Sequence, residues 1–186
     1  METIGVLAIQ GAFHKHALGL SRLGYQAKYV RDQVDLNECD RLIIPGGEST
    51  TILKLLKKHE LLSPLRTFVQ NKPTMGTCAG LILMASSKSK FQTLDALSVT
   101  VDRNKYGRQK DSFMKTIKCS LLDREISIPV FFIRAPVINR LESTNVRVLA
   151  SYNDRPVLVQ ENRNLGMSFH PELTENTEIL EYFLSL

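Results

Sequence analysis

A chain of 186 residues with 43% hydrophobic content can bury a full core, and it shows no linker, repeat or low-complexity tract, so one domain over residues 1–186 is expected. The net charge of +5 and pI near 9.2 raise the question of an acidic partner, and basic residues do gather between Arg103 and Lys118. Asp102, Asp111 and Asp123 are close by and no aromatic-interleaved binding motif accompanies them, which favours a solvated face or a protein-docking face over a nucleic-acid surface. Cys39, Cys78 and Cys119 are scattered, odd in number and without ligand spacing, so neither a disulfide framework nor a metal site is indicated. No cofactor is expected either. Met1 to Leu7 lacks the basic and long apolar regions of a leader, and no apolar run nears the roughly twenty residues of a membrane span. A cytoplasmic protein with no membrane partner is the expectation.

In chain order, Ile4 to Ile9 is a nearly continuous apolar run that predicts a strand buried on both faces. Ala12 to Leu23 carries Phe13, Ala17, Leu20 and Leu23 at helical spacing, with Gly24 placed to end the helix. Tyr25 to Val30 and Leu42 to Ile44 predict two more strands. The second runs into Pro45-Gly46-Gly47, and Glu48 to Thr51 then lead into an amphipathic helix. Strands alternating with helices imply crossover units and a doubly wound parallel sheet. From Leu97 the texture changes to short extended segments at 97–101, 114–119, 128–133, 146–150, 157–160 and 165–168, expected to add strands beside that sheet. Asn153-Asp154-Arg155 and Asn162-Arg163-Asn164 read as hairpin turns, and a helix near Glu175 to Leu186 closes the chain.

Three places carry chemistry. Pro73 can begin a strand, Thr74 to Thr77 suit extended backbone and Ala79 onward suits a helix, so Cys78 falls at the turn between them. Gly76-x-Cys78-x-Gly80 has the spacing of a nucleophile elbow with sulfur in place of oxygen, and the first turn of the helix favours negative charge on that sulfur. The plainer reading of Cys78 is a buried small hydrophobe. Gly46 and Gly47 fall just past a strand end, where open parallel sheets bind ligands, and their amides could approach an oxyanion closely; a tight turn is the plainer reading there. The third place is His170-Pro171-Glu172, a stiff segment after a strand that supplies the imidazole and carboxylate a nucleophilic thiol requires. His14, His16 and His59 sit in helical patterns without such context and read as solvated residues.

These segments, Gly76 to Gly80, Pro45 to Thr50 and Ser168 to Leu173, resemble those of the class I glutamine amidotransferases, whose triad is Cys-His-Glu. Three further stretches, Leu7 to Gly11, Arg103 to Phe113 and Ile133 to Pro136, look like those of the glutaminase subunits of pyridoxal 5'-phosphate synthases within that group. The resemblance implies a flavodoxin-like three-layer sandwich with a mostly parallel central sheet and antiparallel strands added in the second half. It also implies hydrolysis of L-glutamine by Cys78, His170 and Glu172, with the amides of Gly47 and Ala79 as the oxyanion hole. By motif position Gly46, Gly47, Glu48, Ser49, Arg103, Ile133 and Arg134 would bind the glutamine, Glu48 meeting its ammonium and Arg134, with Arg103, its carboxylate. The implied partner is a barrel-shaped synthase subunit that takes the ammonia, faced by Gln10. Two other readings stay open from sequence. One is a glutaminase, γ-glutamyl hydrolase or peptidase of another pathway; the other is a silent binding subunit that keeps only the fold.

Overall fold

The computed structural model describes residues 2–89, 91–103 and 112–186. Four short, fully buried strands open the architecture or lie near its centre: β1 (Ile4–Leu7), β3 (Arg41–Ile44), β4 (Thr74–Thr77) and β11 (Asn164–Met167). With β2 (Ala27–Val30) they form a parallel array in the order β2-β1-β3-β4-β11. Their registers are short and definite; Thr74, for example, pairs with Leu42 on one side and Asn164 on the other. Strands this apolar have no solvent-facing side, so both faces of the array must be covered.

Alternation along each strand divides the core accordingly. Ile4, Val6, Ile43, Met75 and Leu165 pack with Leu20 of α1 (Phe13–Arg22) and Ile179 and Phe183 of α6 (Glu178–Ser185). Leu7, Leu42 and Ile44 point the other way. There they meet Leu36 of α2 (Gln33–Asn37), Ile52 and Leu56 of α3 (Ser49–Lys58), Leu65 and Phe68 of α4 (Leu62–Asn71) and Leu81 of α5 (Ala79–Met84). The result is the expected three-layer sandwich. Two helices were not legible beforehand. The α2 helix is only five residues, begun by the Asp32 carboxylate accepting from the Asp35 amide. The α4 helix carries Pro64, which is tolerated because it falls in the first turn, where no intrahelical amide is required.

The remaining strands add antiparallel pairs beside the parallel array, as expected of the second half. β11 enters the parallel array itself, beside β4. Beyond it the antiparallel strands β10 (Arg155–Glu161), β9 (Arg147–Tyr152), β6 (Phe113–Leu121) and β7 (Arg124–Phe132) complete a nine-stranded sheet among the described residues. Among the described residues β5 (Val99–Asp102) pairs only with β8 (Val137–Leu141), a strand the sequence did not announce, as a separate ribbon over the α3–α5 face. The β9–β10 turn places Asn153 and Asp154 at φ 50° and 58°, as the residue types suggested. The β6–β7 turn does the same with Leu122 and Asp123 at 48° and 57°, a sequence that gives no turn signal.

One contact closes the fold around its site. β7 is last in the strand order, yet the amide of His170, just past β11, donates to the Phe131 carbonyl at 2.8 Å. The antiparallel half therefore curls over until the end of β7 reaches the end of β11. The chain ends that leave β1, β3, β4 and β11 thus gather beneath a backbone clamp.

Candidate active site

Cys78 occupies the turn between β4 and α5 with φ 49° and ψ −100°, a conformation that few non-glycine residues adopt. The turn survives because its neighbours lack side chains: a Cβ on Gly76 would lie 2.7 Å from the Gly80 carbonyl carbon, and one on Gly80 would run into the Ile44 carbonyl. The Cys78 amide donates to the Met167 carbonyl at 2.9 Å and its own carbonyl accepts from Ile82 at 3.2 Å, so the elbow is tied to β11 and to its helix. Its thiol lies 3.7 Å from the Ile133 carbonyl and close enough to the His170 side chain to raise the pKa of that imidazole. The end of β7 therefore supplies two carbonyls to the site, Phe131 to the backbone of His170 and Ile133 to the sulfur.

His170 is 8% exposed, and its Nδ1 sits 2.7 Å from Oε1 of Glu172, which leaves Nε2 for the sulfur. Burial is the largest single influence on His170 and opposes its cation. Hydrogen bonds to Cys78 and Glu172, with the charges behind them, together outweigh burial and raise the pKa to about 10. Burial likewise pushes the Glu172 carboxyl upward, but His16 first and His170 second hold it below its ordinary value. A thiol joined to an imidazole whose other nitrogen is held by a carboxylate is equipped for nucleophilic attack, proton transfer to a leaving group and activation of water.

The sulfur and imidazole open into a cleft of about 910 Å³, large for a small-molecule site. Gly46, Gly47, Glu48, Ser49, Arg103, Ile133 and Arg134 all line it, so the pocket residues expected from sequence come together with Cys78 and His170. Glu48 caps α3, its carboxylate accepting from the Thr50 amide at 3.1 Å and hydroxyl at 2.9 Å. Those bonds, reinforced by the charges of Arg103 and Arg134, lower its pKa. Arg103 stacks 5.0 Å from the Phe91 ring centroid, and Arg134 sits at φ 46° in the bend after β7. One carboxylate and two guanidiniums thus face one cleft.

The glycine loop is braced from β1. Ala12 donates its amide to the Gly46 carbonyl at 2.9 Å, and across the planar Gly46–Gly47 peptide the Gly47 N–H is turned away from Ala12. Gly11 has φ 101° and stands so close to the Gly46 carbonyl that no side chain would fit between them. Gln10 is half-buried, and its side-chain oxygen accepts from the Glu48 amide at 3.0 Å. Ala79 is buried at the start of α5. Residues 104–111 of the basic stretch lie outside the described residues.

Sequence reasoning missed Gly11, Ala12, Ile82 and Ser112 on the cleft wall, although the first and last belong to stretches already singled out by resemblance. It also misjudged His16. Far from solvated, His16 is 3% exposed, with Nε2 3.2 Å from Thr77 Oγ1 and 3.6 Å from Glu172 Oε2. Its position on the sheet-facing side of α1, four residues before Leu20, was the available signal. His14 and His59 are exposed as expected. No group of three or more potential metal ligands exists among the described residues, and no helix among them is long and apolar enough to cross a membrane.

A three-layer α/β sandwich with a cysteine elbow, a strand-end histidine and a cleft over both defines a thiol enzyme of the amidotransferase kind. The chain belongs to the SNO glutamine amidotransferase family, whose model matches residues 6–186. The pyridoxal 5'-phosphate synthase subunit PdxT of Francisella philomiragia is 46% identical over 184 residues, covering 99% of this chain and 98% of its own. The subunit of the same name from Solibacter usitatus is 42% identical, covering 100% and 99%. A solved glutamine amidotransferase superimposes with a TM-score of 0.91 at 42% identity, covering 98% of this chain and 97% of its own. PurLQS from Thermotoga maritima, 15% identical with a TM-score of 0.66, shares the fold.

Proposed function

We propose that residues 1–186 act as one glutaminase domain, the subunit of a pyridoxal 5'-phosphate synthase that hydrolyses L-glutamine to L-glutamate and ammonia in the cytoplasm. The observation that carries this reading is the grouping of Cys78 with the hydrogen-bonded pair His170 and Glu172 on the floor of a cleft that also presents Glu48, Arg103 and Arg134. Full-length identity of 42–46% to subunits bearing that name supports the pathway.

In this reading the Cys78 sulfur attacks the side-chain amide carbon of glutamine, and the carbonyl π pair moves onto oxygen. The amides of Gly47 and Ala79 receive that oxyanion, each well-placed donor contributing about 3 kcal/mol. His170, held as a cation, gives its Nε2 proton to the amide nitrogen as the C–N bond breaks, and ammonia leaves. Water then attacks the thioester, losing its proton to the now neutral His170, and glutamate departs with the sulfur restored. Glu172 fixes the ring through Nδ1 during both proton transfers. The opposed charges of Glu48 and the two arginines match the ammonium and carboxylate of an amino acid, which leaves the amide end for Cys78. Three free cysteines fit a reducing compartment.

Ammonia released into an open cleft is lost, so the activity is coupled to a synthase subunit that receives it, with Gln10 and the loop it braces near that partner. The test is ammonia release from glutamine with and without the synthase subunit, repeated on Cys78→Ala. Weak release alone, strong stimulation by the partner and none from the variant are expected. Equal turnover with and without the partner overturns the coupling, and release by Cys78→Ala overturns the assignment of the nucleophile.

A further inference from the structure

Behind the cleft lies a polar arrangement that the chemistry above does not use. Glu172 presents Oε1 to His170, but its Oε2 is buried and has no hydrogen-bond partner among the described residues. The polar group that faces it is His16 Nε2 at 3.6 Å, from α1, and the same nitrogen is 3.2 Å from the hydroxyl of Thr77, the residue before the nucleophile. All three side chains are buried: His16 is 3% exposed, Thr77 is fully buried and the Glu172 side chain is 1% exposed. A cavity of about 30 Å³ with His16, Arg22 and Glu172 on its wall separates this cluster from α6, and it is far too small for an amino acid.

Two physical arguments fix the state of His16. Burial disfavours its cation most strongly and the His170 charge adds to that, with Glu172 opposing, so the balance lowers its pKa and the ring is neutral near pH 7; its charge bears on Glu172 only in the acid range where the carboxyl itself titrates. A neutral ring has one N–H. Placing it on Nδ1 would leave the Nε2 lone pair facing the lone pairs of a carboxylate oxygen, whereas placing it on Nε2 aims a donor into the gap between Oε2 and Oγ1. A carboxylate held through one oxygen can still turn about its last bond. A donor at the second oxygen stops that rotation and steadies the negative charge.

We propose that His16 is a positioning residue of this site: its Nε2–H spans Thr77 and the outer oxygen of Glu172, and so fixes the carboxylate that in turn orients His170. The inference rests on the triad reading of the preceding subsection. It links the α1 helix to both ends of the catalytic series, since Thr77 adjoins Cys78. The titratable or charged groups around Glu172 are His16 and Arg22 from α1 and His170 from its own segment, with Cys78 beyond His170; Arg22 is engaged elsewhere, donating to the Thr174 carbonyl at 3.1 Å. His16 does not touch the cleft, so its removal should act on turnover rather than on substrate affinity.

The test compares His16→Leu, His16→Gln and Thr77→Val in the assembled complex with the synthase subunit, following kcat, KM for glutamine and the acid limb of kcat/KM. Loss of an orienting partner one step from the reacting groups predicts a fall in kcat of about 10- to 100-fold for His16→Leu with KM nearly unchanged. With its donor gone Glu172 protonates more readily, so the acid limb moves to higher pH by about half a unit. Gln places an amide N–H near the position of Nε2 and should recover most of both. Thr77→Val, nearly isosteric, loosens His16 from its other side and should shift the limb in the same direction by less. Wild-type kcat and acid limb in His16→Leu overturn the proposal. Equal losses in the Leu and Gln variants with an unmoved limb overturn it too, because that pattern marks packing alone. Should His16→Leu fail to fold, His16→Gln and Thr77→Val decide: a loss of about 10-fold or more in kcat for His16→Gln, or an unmoved limb in Thr77→Val, overturns it. Cys78→Ala in the same assay separates the two readings: activity there sinks the triad itself, whereas an inactive Cys78→Ala beside an unaffected His16→Leu sinks only the role of His16.

Discussion

The reacting groups and the recognition groups of this site are built in different ways. Cys78 and His170 are 7% and 8% exposed and are tied by backbone hydrogen bonds to Met167, Ile82 and Phe131. Glu48, Arg103 and Arg134 are exposed side chains on loops, steadied by a cap, a ring and a left-handed bend. The contrast teaches where geometric tolerance lies. Proton transfer needs atoms placed within a fraction of an ångström, and only the ends of buried strands offer that; a charged substrate can draw flexible side chains to itself on binding.

Changes on the rigid side should therefore cost most. Glu172→Gln keeps the shape but removes the charge that supports the His170 cation, and presents an amide that can offer either face to Nδ1. Turnover in the complex should fall by about 10⁴-fold with KM for glutamine little changed, by analogy with the loss of the orienting carboxylate in other triads. A drop of less than tenfold would mean that His170 is oriented by its backbone bond to Phe131 alone.

A second change breaks the site without removing any of its side chains. A Cβ on Gly46 would press on the His170 ring, 3.0 Å from Nδ1. The ring, not the backbone, would have to move, so Gly46→Ala should fold normally, judged by an unfolding midpoint close to wild type, yet lose about 100-fold in kcat from misplacement of the imidazole. On the exposed side, Arg134→Ala should spare kcat and raise KM by about tenfold, the value of one charge-assisted contact at a solvated rim. If Arg134→Ala instead lowered kcat as far as Gly46→Ala does, recognition and reaction would not be separable.

The same contrast explains what could be read from the sequence. Buried strands and the elbow announce themselves because their constraints are local: Gly76 and Gly80 are required by atoms a few residues away, and the apolar run Ile4 to Leu7 by its own two faces. The pocket residues were recovered through motif resemblance. What escaped depends on contacts far apart in the chain. His16 meets Glu172 across 156 positions of sequence, and nothing in its helical surroundings reports that. The clamp from Phe131 to His170 likewise follows from the curl of the whole antiparallel half, and the β6–β7 turn at Leu122 and Asp123 is imposed by the strands on either side.

The smallest expected effect concerns the three thiols, which exposure alone barely distinguishes: Cys39 and Cys119 are fully buried and Cys78 is 7% exposed. Burial pushes the Cys39 thiol up to about 11 and the Cys119 thiol up to about 12, against an ordinary value of 9.0, so both stay protonated through the neutral range. Cys78 differs in having an imidazolium beside it and a cleft above it. Alkylation of the native protein by iodoacetamide at pH 8, read by mass spectrometry, should place one adduct on Cys78 and none on the other two, and urea should expose all three. The sign at higher pH follows from linkage. A thiol whose folded pKa lies above its unfolded value adds stability that is whole below pH 9.0 and is lost as pH rises through the folded value. The urea midpoint should thus decline from about pH 9 towards pH 11, and less steeply in Cys39→Ala, whose removed thiol is the first of the two to ionise. Labelling of Cys39 or Cys119 at pH 8 at the rate of Cys78 would show that the two cores open as readily as the cleft, and the division between a buried floor and an exposed rim would fail.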